Sequence, residues 1–269
     1  MSNRPINRDE AERLLDSTFV QSVRFFDQID STNDAALTAS ISADELPALF
    51  IAAEQTAGRG RGPNRWISSN GALTFSLVIS PATIRPDAAC WPQLSLWTAL
   101  GIRDAISSLV PSAEVPRADV QVKWPNDVYL QQKKVCGILI ESRSTPSKNL
   151  LVVGIGINVN NEFANADRDD TANAIAIGQL CAGTRIADAA QAVLTHIDEA
   201  WGLFANHHSL LDHWPQHSLL AGRSIRWQKS TDSLDGICRG ISDDGALLLQ
   251  TPDSPQPIKC FGGTIGFDA

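Results

Sequence analysis

Residues 120–141 read VQVKWPNDVYLQQKKVCGILIE, and the fold turns on how that stretch divides. Residues 120–123 have strand character and stop at Trp124-Pro125. Residues 128–130 and 135–141 read as two more strands, joined by the polar turn Gln131-Gln132-Lys133. The residue before a proline is pushed to extended geometry. Lys123, Asn126 and Asp127 are thereby presented at a strand end, where sites in sheets flanked by helices often lie. Downstream, residues 150–158 (LLVVGIGIN) form an apolar, buried strand. Gly154 and Gly156 weaken it unless a ligand or another backbone comes close.

Upstream, residues 24–30, 49–53 and 72–80 read as strands, and residues 7–15 as a short polar helix. Ser31-Thr32-Asn33 starts a helix, with hydroxyls able to cap the run DAALTA. Residues 91–110 carry Leu94, Trp97, Leu100, Ile102 and Ile106 at helical spacing. Residues 186–206 align Ala189, Val193, Ile197, Trp201 and Phe204 along one side of a long helix, and Pro215 closes the helical part. Strands alternate with helices only partly, so the expected class is α+β, a mixed β-sheet with packed helices. From about Gly222 the texture changes to short strands at 224–227, 236–241, 246–250 and 258–261. Asp235-Gly236 and Asp244-Gly245 are hairpin turn signals there. That predicts a small β-barrel and two domains, 1–221 and 222–269. A chain of 269 residues suits one large and one small domain at roughly 150 residues per domain.

Hydrophobic residues make up 43% and charged residues 19%, a globular composition with a sizeable core. Lys+Arg 22 against Asp+Glu 30 leaves −8, a poor balance for general nucleic-acid binding, which needs surplus cations. The cysteines (Cys90, Cys136, Cys181, Cys238, Cys260) form no CxxC pair, so neither a disulfide framework nor a structural zinc site is indicated. The first 24 residues hold no apolar signal core, and no apolar run approaches a bilayer span. The expectation is a cytoplasmic protein in a reducing compartment, with no membrane role.

Positive charge is scarce, so its clustering carries information. Arg59, Arg61 and Arg65 fall within GRGRGPNRW, and Lys123, Lys133 and Lys134 within KWPNDVYLQQKKVCG. Gly58, Gly60 and Gly62 let the first loop's backbone approach a ligand, and Arg59 and Arg61 can then grip carboxylate or phosphate with two bonds each. The loop is not a Walker A motif, since GK[ST] occurs nowhere, and it fails GxGxxG.

Together, STN, EQTAGRGRGPNRW, KWPNDVYL, KKVCGILIES and GIGINVN, in that order, resemble the biotin–protein ligases. The resemblance covers residues 25–160 in motif detail and reaches the end through GICRGISDDGALLL, which looks like that family's small SH3-like domain. It implies the family's biotin/lipoate ligase-like catalytic domain followed by the barrel. It also implies a two-step ligase reaction. Biotin and ATP give biotinyl-5′-AMP and pyrophosphate, then a lysine of a biotin carboxyl carrier protein (an acetyl-CoA carboxylase subunit or similar carboxylase domain) takes the biotin and releases AMP. Mg²⁺ would bridge phosphate oxygens.

By the same resemblance, biotin would contact Ser31, Thr32, Asn33, Gln55, Arg59, Gly60, Arg61 and Lys134, with Gly137, Gly154 and Gly156 leaving room for its chain. Arg61, Trp66, Lys123, Asn126 and Asn158 would hold the adenylate, with Trp66 stacking near it. Lys134, Arg59 and Asp127 are the catalytic candidates, Asp127 as the carboxylate that receives the acceptor lysine's proton. Many members read GRGRxGRxW where this chain has GRGRGPNRW, so Pro63-Asn64 replaces a Gly-Arg pair. The 24 residues before Phe25 are too few for the winged helix-turn-helix some members carry, which together with the acidic balance points to a ligase without a DNA-binding role. Members often pair through sheet edges, so a homodimer is a possible state. The nearest rival is a lipoate-type ligase or transferase, against which the RGRG loop and KWPND argue; a non-catalytic biotin-binding module is the rival from another class. His207, His208, His213 and His217 read as surface histidines rather than a metal site, the acidic residues 162–170 as a solvated loop, and Cys136 as a buried strand cysteine.

Overall fold

A computed structural model describes residues 4–68, 70–85, 87–110, 119–144, 149–163 and 173–267. Its larger sheet has seven strands: β1 (Ser22–Ile29), β2 (Ala48–Gln55), β3 (Ala72–Ile79), β4 (Val120–Lys123), β5 (Asp127–Leu130), β6 (Lys133–Ser144) and β7 (Asn149–Asn158). Their order across the sheet is β1-β2-β3-β7-β6-β5-β4. The β1–β2 pair is parallel, because a helical crossover separates the two strands; the other pairs are antiparallel. This is the mixed sheet expected. The helices are α1 (Arg8–Glu12), α2 (Leu14–Ser17), α3 (Thr32–Thr38), α4 (Pro81–Ile84), α5 (Trp91–Leu109) and α6 (Ile186–Ala205).

β7 lies in the middle of the sheet and is buried from Leu150 to Asn158. Side chains alternate along a strand, so β7 serves two different layers. Val153, Ile155 and Ile157 join the large core that α5 and α6 cover. Leu150 and Val152 face the opposite way, into a smaller core with Ala36, Ala48, Phe50 and Val78, topped by α3. Each fully buried Leu, Ile or Val contributes roughly 1.5–3 kcal/mol. The apolar rows read from sequence in α5 and α6 are all in the core, and Trp201 Nε1 donates to Thr98 Oγ1 at 3.0 Å between the two helices.

The smaller sheet is antiparallel, with β8 (Ser224–Lys229), β9 (Asp232–Ile241), β10 (Leu247–Gln250), β11 (Ile258–Cys260) and β12 (Thr264–Gly266) in the order β11-β10-β9-β8-β12. Its apolar face belongs to the same continuous core as the larger sheet. Trp124 Nε1 donates to the Gly245 carbonyl at 3.0 Å, pinning the β9–β10 turn to the KWPND corner.

Three local readings need correction. Asp235-Gly236 is not a turn but the middle of β9, where Asp235 pairs with Arg226 of β8 and Gly236 admits the Gln250 carbonyl, which a Cβ would meet at 2.5 Å. The hairpin turn there is Ser230-Thr231, with Lys229 paired to Asp232 and Ser230 at φ 53. Pro215 begins a 3₁₀ turn, Pro215–His217, instead of ending the helical part. Lys133 already belongs to β6; the β5–β6 turn is Gln131-Gln132 alone, both at positive φ (48 and 63).

Candidate active site

One face of β7 runs Leu150, Val152, Gly154, Gly156, Asn158, so side chains vanish from it where α3 begins and the glycine-rich loop arrives. Other side chains fill the space. A Cβ on Gly154 would meet Asn33 Oδ1 at 2.1 Å, and one on Gly156 would meet Trp66 Cε2 at 2.2 Å. On the neighbouring strand Gly137, paired with Gly156, lies under Trp66 and the end of Lys134. The glycines thus seat a row of functional groups (Asn33, Trp66, Lys134) flat against the sheet.

Ser31 is the N-cap of α3 and accepts from the Asp34 N–H. Thr32 and Asn33 follow, buried at the helix start. The Thr32 N–H donates to Gln55 Oε1 at 2.7 Å, and Thr32 Oγ1 is 3.0 Å from the same oxygen. Ser76 Oγ donates to Asn33 Oδ1 at 2.5 Å and lies 2.8 Å from Thr32 Oγ1. The Asn33 amide donates to Glu141 Oε2 at 2.8 Å. Thr32, Asn33 and Gln55, bonded directly or through Ser76, therefore form one neutral polar patch, with Ser31 beside them at the helix cap.

The loop folds back on itself as a small hairpin. Arg59 bridges Arg65, Gly60 N–H donates to the Asn64 carbonyl at 2.8 Å, and Trp66 N–H donates to the Gly58 carbonyl at 3.0 Å. Pro63 and Asn64, where many relatives of the motif carry Gly-Arg, sit at its tip beside Gly62, which is at φ +61. Arg59 is held by two carboxylates. Its fork makes two bonds to Glu141 (3.0 and 2.6 Å) and one ion pair to Asp34 (2.8 Å). The Glu141 bond is the largest influence raising its guanidinium above the ordinary value. Arg61 crosses the cleft, donating to Asn126 Oδ1 at 3.0 Å and to the Gly263 carbonyl of the C-terminal sheet region at 3.1 Å.

Beyond Trp66 the cleft opens to about 710 Å³, within the usual range for small-molecule sites. Its walls carry Arg59, Gly60, Arg61, Arg65, Lys123, Asn126, Asp127, Lys134 and Asn158, with Gly263, Thr264 and Ile265 closing one side. Lys134 Nζ and Asp127 Oδ1 form an ion pair at 2.7 Å. A bulge sets this up. Tyr129 pairs with Lys134 and Val128 with Cys136, which leaves Val135 as an extra residue. Val135 and Cys136 are both fully buried, and Lys134 is turned onto the face of Gly137. Burial pushes the Lys123 ammonium below its ordinary value, opposed by Asp127. Lys123 also lies over the rings of Phe267 (4.8 Å) and Tyr129 (5.6 Å). Asn126 amide donates to the Ile138 carbonyl at 2.6 Å, which fixes its oxygen toward Arg61. The peptide between Trp124 and Pro125 is cis.

The residues singled out from sequence fall into two groups on either side of Trp66: the neutral patch, and the cationic cleft. Trp66 Nε1 is buried, and among the described residues no acceptor lies within hydrogen-bond reach of it. A buried donor without a partner costs about 1–3 kcal/mol, which favours a ligand acceptor there. Ser76, Asp34, Glu141 and the 263–265 segment went unnoticed in the sequence. Ser76 had a faint signal, as a polar residue inside the apolar run ALTFSLVIS. Among the described residues no cluster of three His, Cys, Asp or Glu side chains could hold a metal ion. His208 and His213 face each other at 6.4 Å, next to Trp97. Cys136 is buried, and burial pushes its thiol up, away from reactivity. Most of the acidic stretch, residues 164–170, lies outside the described residues.

Residues 25–160 match the biotin/lipoate A/B protein ligase family, and residues 221–261 match the biotin protein ligase C terminal domain. The chain is 33% identical over 250 residues to a biotin--[acetyl-CoA-carboxylase] ligase of Paracoccus denitrificans, covering 87% of this chain and 98% of that one. It is 30% identical to a protein of the same name from Mycobacterium tuberculosis, over 82% and 80% of the two chains. Among solved structures, the biotin protein ligase from Aquifex aeolicus in complex with biotin and ATP superposes with a TM-score of 0.78 at 25% identity, over 92% of this chain and 100% of that one. The SH3-like character expected of the C-terminal sheet agrees with these matches.

Proposed function

The chain belongs to the biotin/lipoate A/B protein ligase family, and we infer from that membership that it is an ATP-dependent biotin–protein ligase. One observation carries the reading to particular residues: a neutral polar patch and a cluster of cations lie on one sheet face, separated by Trp66. Biotin has the same division, with a neutral ureido ring at one end and a carboxylate at the other. The patch of Ser31, Thr32, Asn33 and Gln55 suits the ring. Lys134, with Arg61 and Lys123, suits the carboxylate and the nucleotide phosphates.

In the first step a biotin carboxylate oxygen attacks the α-phosphorus of ATP, and the bond to pyrophosphate breaks. Two anions must approach, so the step needs fixed positive charge more than proton transfer. Lys134 meets the carboxylate, Arg61 spans the cleft, Trp66 stacks near the adenylate, and Asn126 and Asn158 bond the base. In the second step the acceptor lysine's nitrogen attacks the acyl carbon, AMP leaves with the bonding pair, and the nitrogen loses a proton. Asp127 takes that proton.

Among the described residues Mg²⁺ has no cage of protein ligands. Among the described lining residues Asp127 is the one carboxylate, and Lys134 already holds it. The described residues do not fit a resident ion, and no step is assigned to one.

The acceptor is a biotin carboxyl carrier protein, in keeping with the relatives' names. The net charge of −8 favours a ligase that does not bind DNA, and free cysteines favour the cytoplasm. No described helix is long and apolar enough to cross a membrane.

Biotin-dependent exchange between ATP and pyrophosphate tests the reading. Exchange with biotin and none with lipoate is expected; exchange driven by lipoate, or none with biotin, overturns it. For Asp127, isolated biotinyl-AMP and a carrier domain bypass the first step. Asp127→Asn should slow transfer about a hundredfold, and transfer at the wild-type rate removes the base role.

A further inference from the structure

The Glu141 carboxylate, at the end of the apolar run GILI in β6, touches both halves of the site at once. It takes two bonds from Arg59 of the glycine-rich hairpin (the flap), at 3.0 and 2.6 Å. It also takes one from the Asn33 amide of the patch, at 2.8 Å. Asn33 has little freedom to turn away: it lies against Gly154, donates to the Leu139 carbonyl at 3.3 Å, and accepts from Ser76. Ser76, Thr32 and Gln55 continue the chain of contacts through the patch. Through Glu141, Arg59 therefore connects to Asn33, Ser76, Thr32 and Gln55. Asp34, its other partner, has a more exposed side chain (55% against 26%), and it meets the patch through its backbone N–H, which donates to Ser31.

We propose that Glu141 is a positioning residue that couples the flap to the polar patch, so that a neutral ring seated in the patch holds the flap shut over the activated intermediate. This rests on the ligase reading above. A ligand bonded to Thr32, Asn33 or Gln55 adds a further restraint to the already held Asn33; Asn33 holds Glu141; and Glu141 holds the base of the hairpin that carries Arg61 and Trp66. Glu141 touches neither reacting atom, and its effect lies in how long the ligand stays.

Glu141→Gln keeps an acceptor for Asn33 but puts an amide against the Arg59 guanidinium in place of a charge-assisted pair. The expected result is a KM for biotin raised about tenfold and release of preformed biotinyl-AMP about tenfold faster, with kcat at saturating biotin and ATP within twofold of wild type. Rates are normalised to active sites counted by the burst of adenylate. The double variant with Arg59→Gln should match Arg59→Gln alone, because Glu141 acts through Arg59. Wild-type KM and release rate in Glu141→Gln, or additive effects in the double variant, overturn the proposal. A variant with fewer active sites and a lower Tm but unchanged KM also overturns it, since that is the signature of a merely structural carboxylate. If the wild-type protein itself shows no biotin-dependent exchange, the ligase reading fails, and the coupling fails with it.

Discussion

Lys134→Ala should lower biotin-dependent pyrophosphate exchange by about a thousandfold or more while the chain stays folded. The ammonium reaches the row of groups over the glycines, with its end above Gly137 beside the Trp66 ring. Arg59, the other cation near that row, is already committed to Glu141 and Asp34. Removing Lys134 deletes a positive charge and also frees the Asp127 carboxylate, 2.7 Å away, to repel the incoming biotin and phosphates. Losing one preorganised charge-stabilising donor costs about 10²–10³ in rate, and the unmasked carboxylate adds to that. The fold bears less of the loss. Lys134 is about a third exposed, and neither its backbone bridge to Ala174 nor the bulge depends on the ammonium. Breaking a buried pair costs about 3–5 kcal/mol, and this partly exposed one should cost below that. Exchange measured beside a circular dichroism melt separates the two effects, and exchange within tenfold of wild type removes Lys134 from the first step.

Much of this site could be read from residues, and the remainder was hidden for identifiable physical reasons. The strand LLVVGIGIN announced itself because glycines inside a buried strand need something pressed against them, and Asn33 and Trp66 turn out to be what presses. The basic loop and KWPND stood out because cations are scarce in a chain of net charge −8. Asp235-Gly236 misled because a dipeptide that favours a tight turn also suits a strand where a neighbouring carbonyl crowds in; the contact with Gln250 is a tertiary fact that local pattern does not hold. The bulge at Val135 was invisible for a similar reason. KKVCG alternates well enough as a plain strand, and only its pairing with β5 exposes the extra residue that aims Lys134. Glu141 looked like the polar end of an apolar run. Its importance comes from partners 82 and 108 residues away in the chain. The Arg61 bond to Gly263 spans 202 residues, which is why the C-terminal sheet's place in the wall of the cleft had no local sign.

Gly156→Val should cost adenylate formation about a thousandfold while leaving Tm within a few degrees of wild type. Gly156 has an ordinary strand backbone and is absent from the positive-φ glycines, so nothing in the chain's path requires glycine there. Strand propensity favours valine, and replacing glycine restricts the unfolded chain, each worth some tenths to about 1 kcal/mol. Against that stands the eviction of Trp66, whose ring occupies the space a Cβ would take, with Cε2 2.2 Å and Nε1 2.6 Å from it. The indole gives up packing worth about 2 kcal/mol, partly replaced by the valine methyls. For a domain of this size 1 kcal/mol moves Tm by about 2–4 °C, so the near-cancellation keeps the melt close to wild type. Function has no such compensation. Trp66 is tied through its backbone N–H to the Gly58 carbonyl at the root of the glycine-rich hairpin, and moving it moves the hairpin that carries Arg61. A displacement near 1 Å costs about a hundredfold in a positioned reaction, and losing a stacking ring under the nucleotide about tenfold more. Loss of both stability and activity would mean that the glycine serves packing alone. Unchanged activity would mean that Trp66 yields its place without consequence and the row on β7 is not the site. A folded, inactive protein ties the absence of a side chain at one strand position to the chemistry above it.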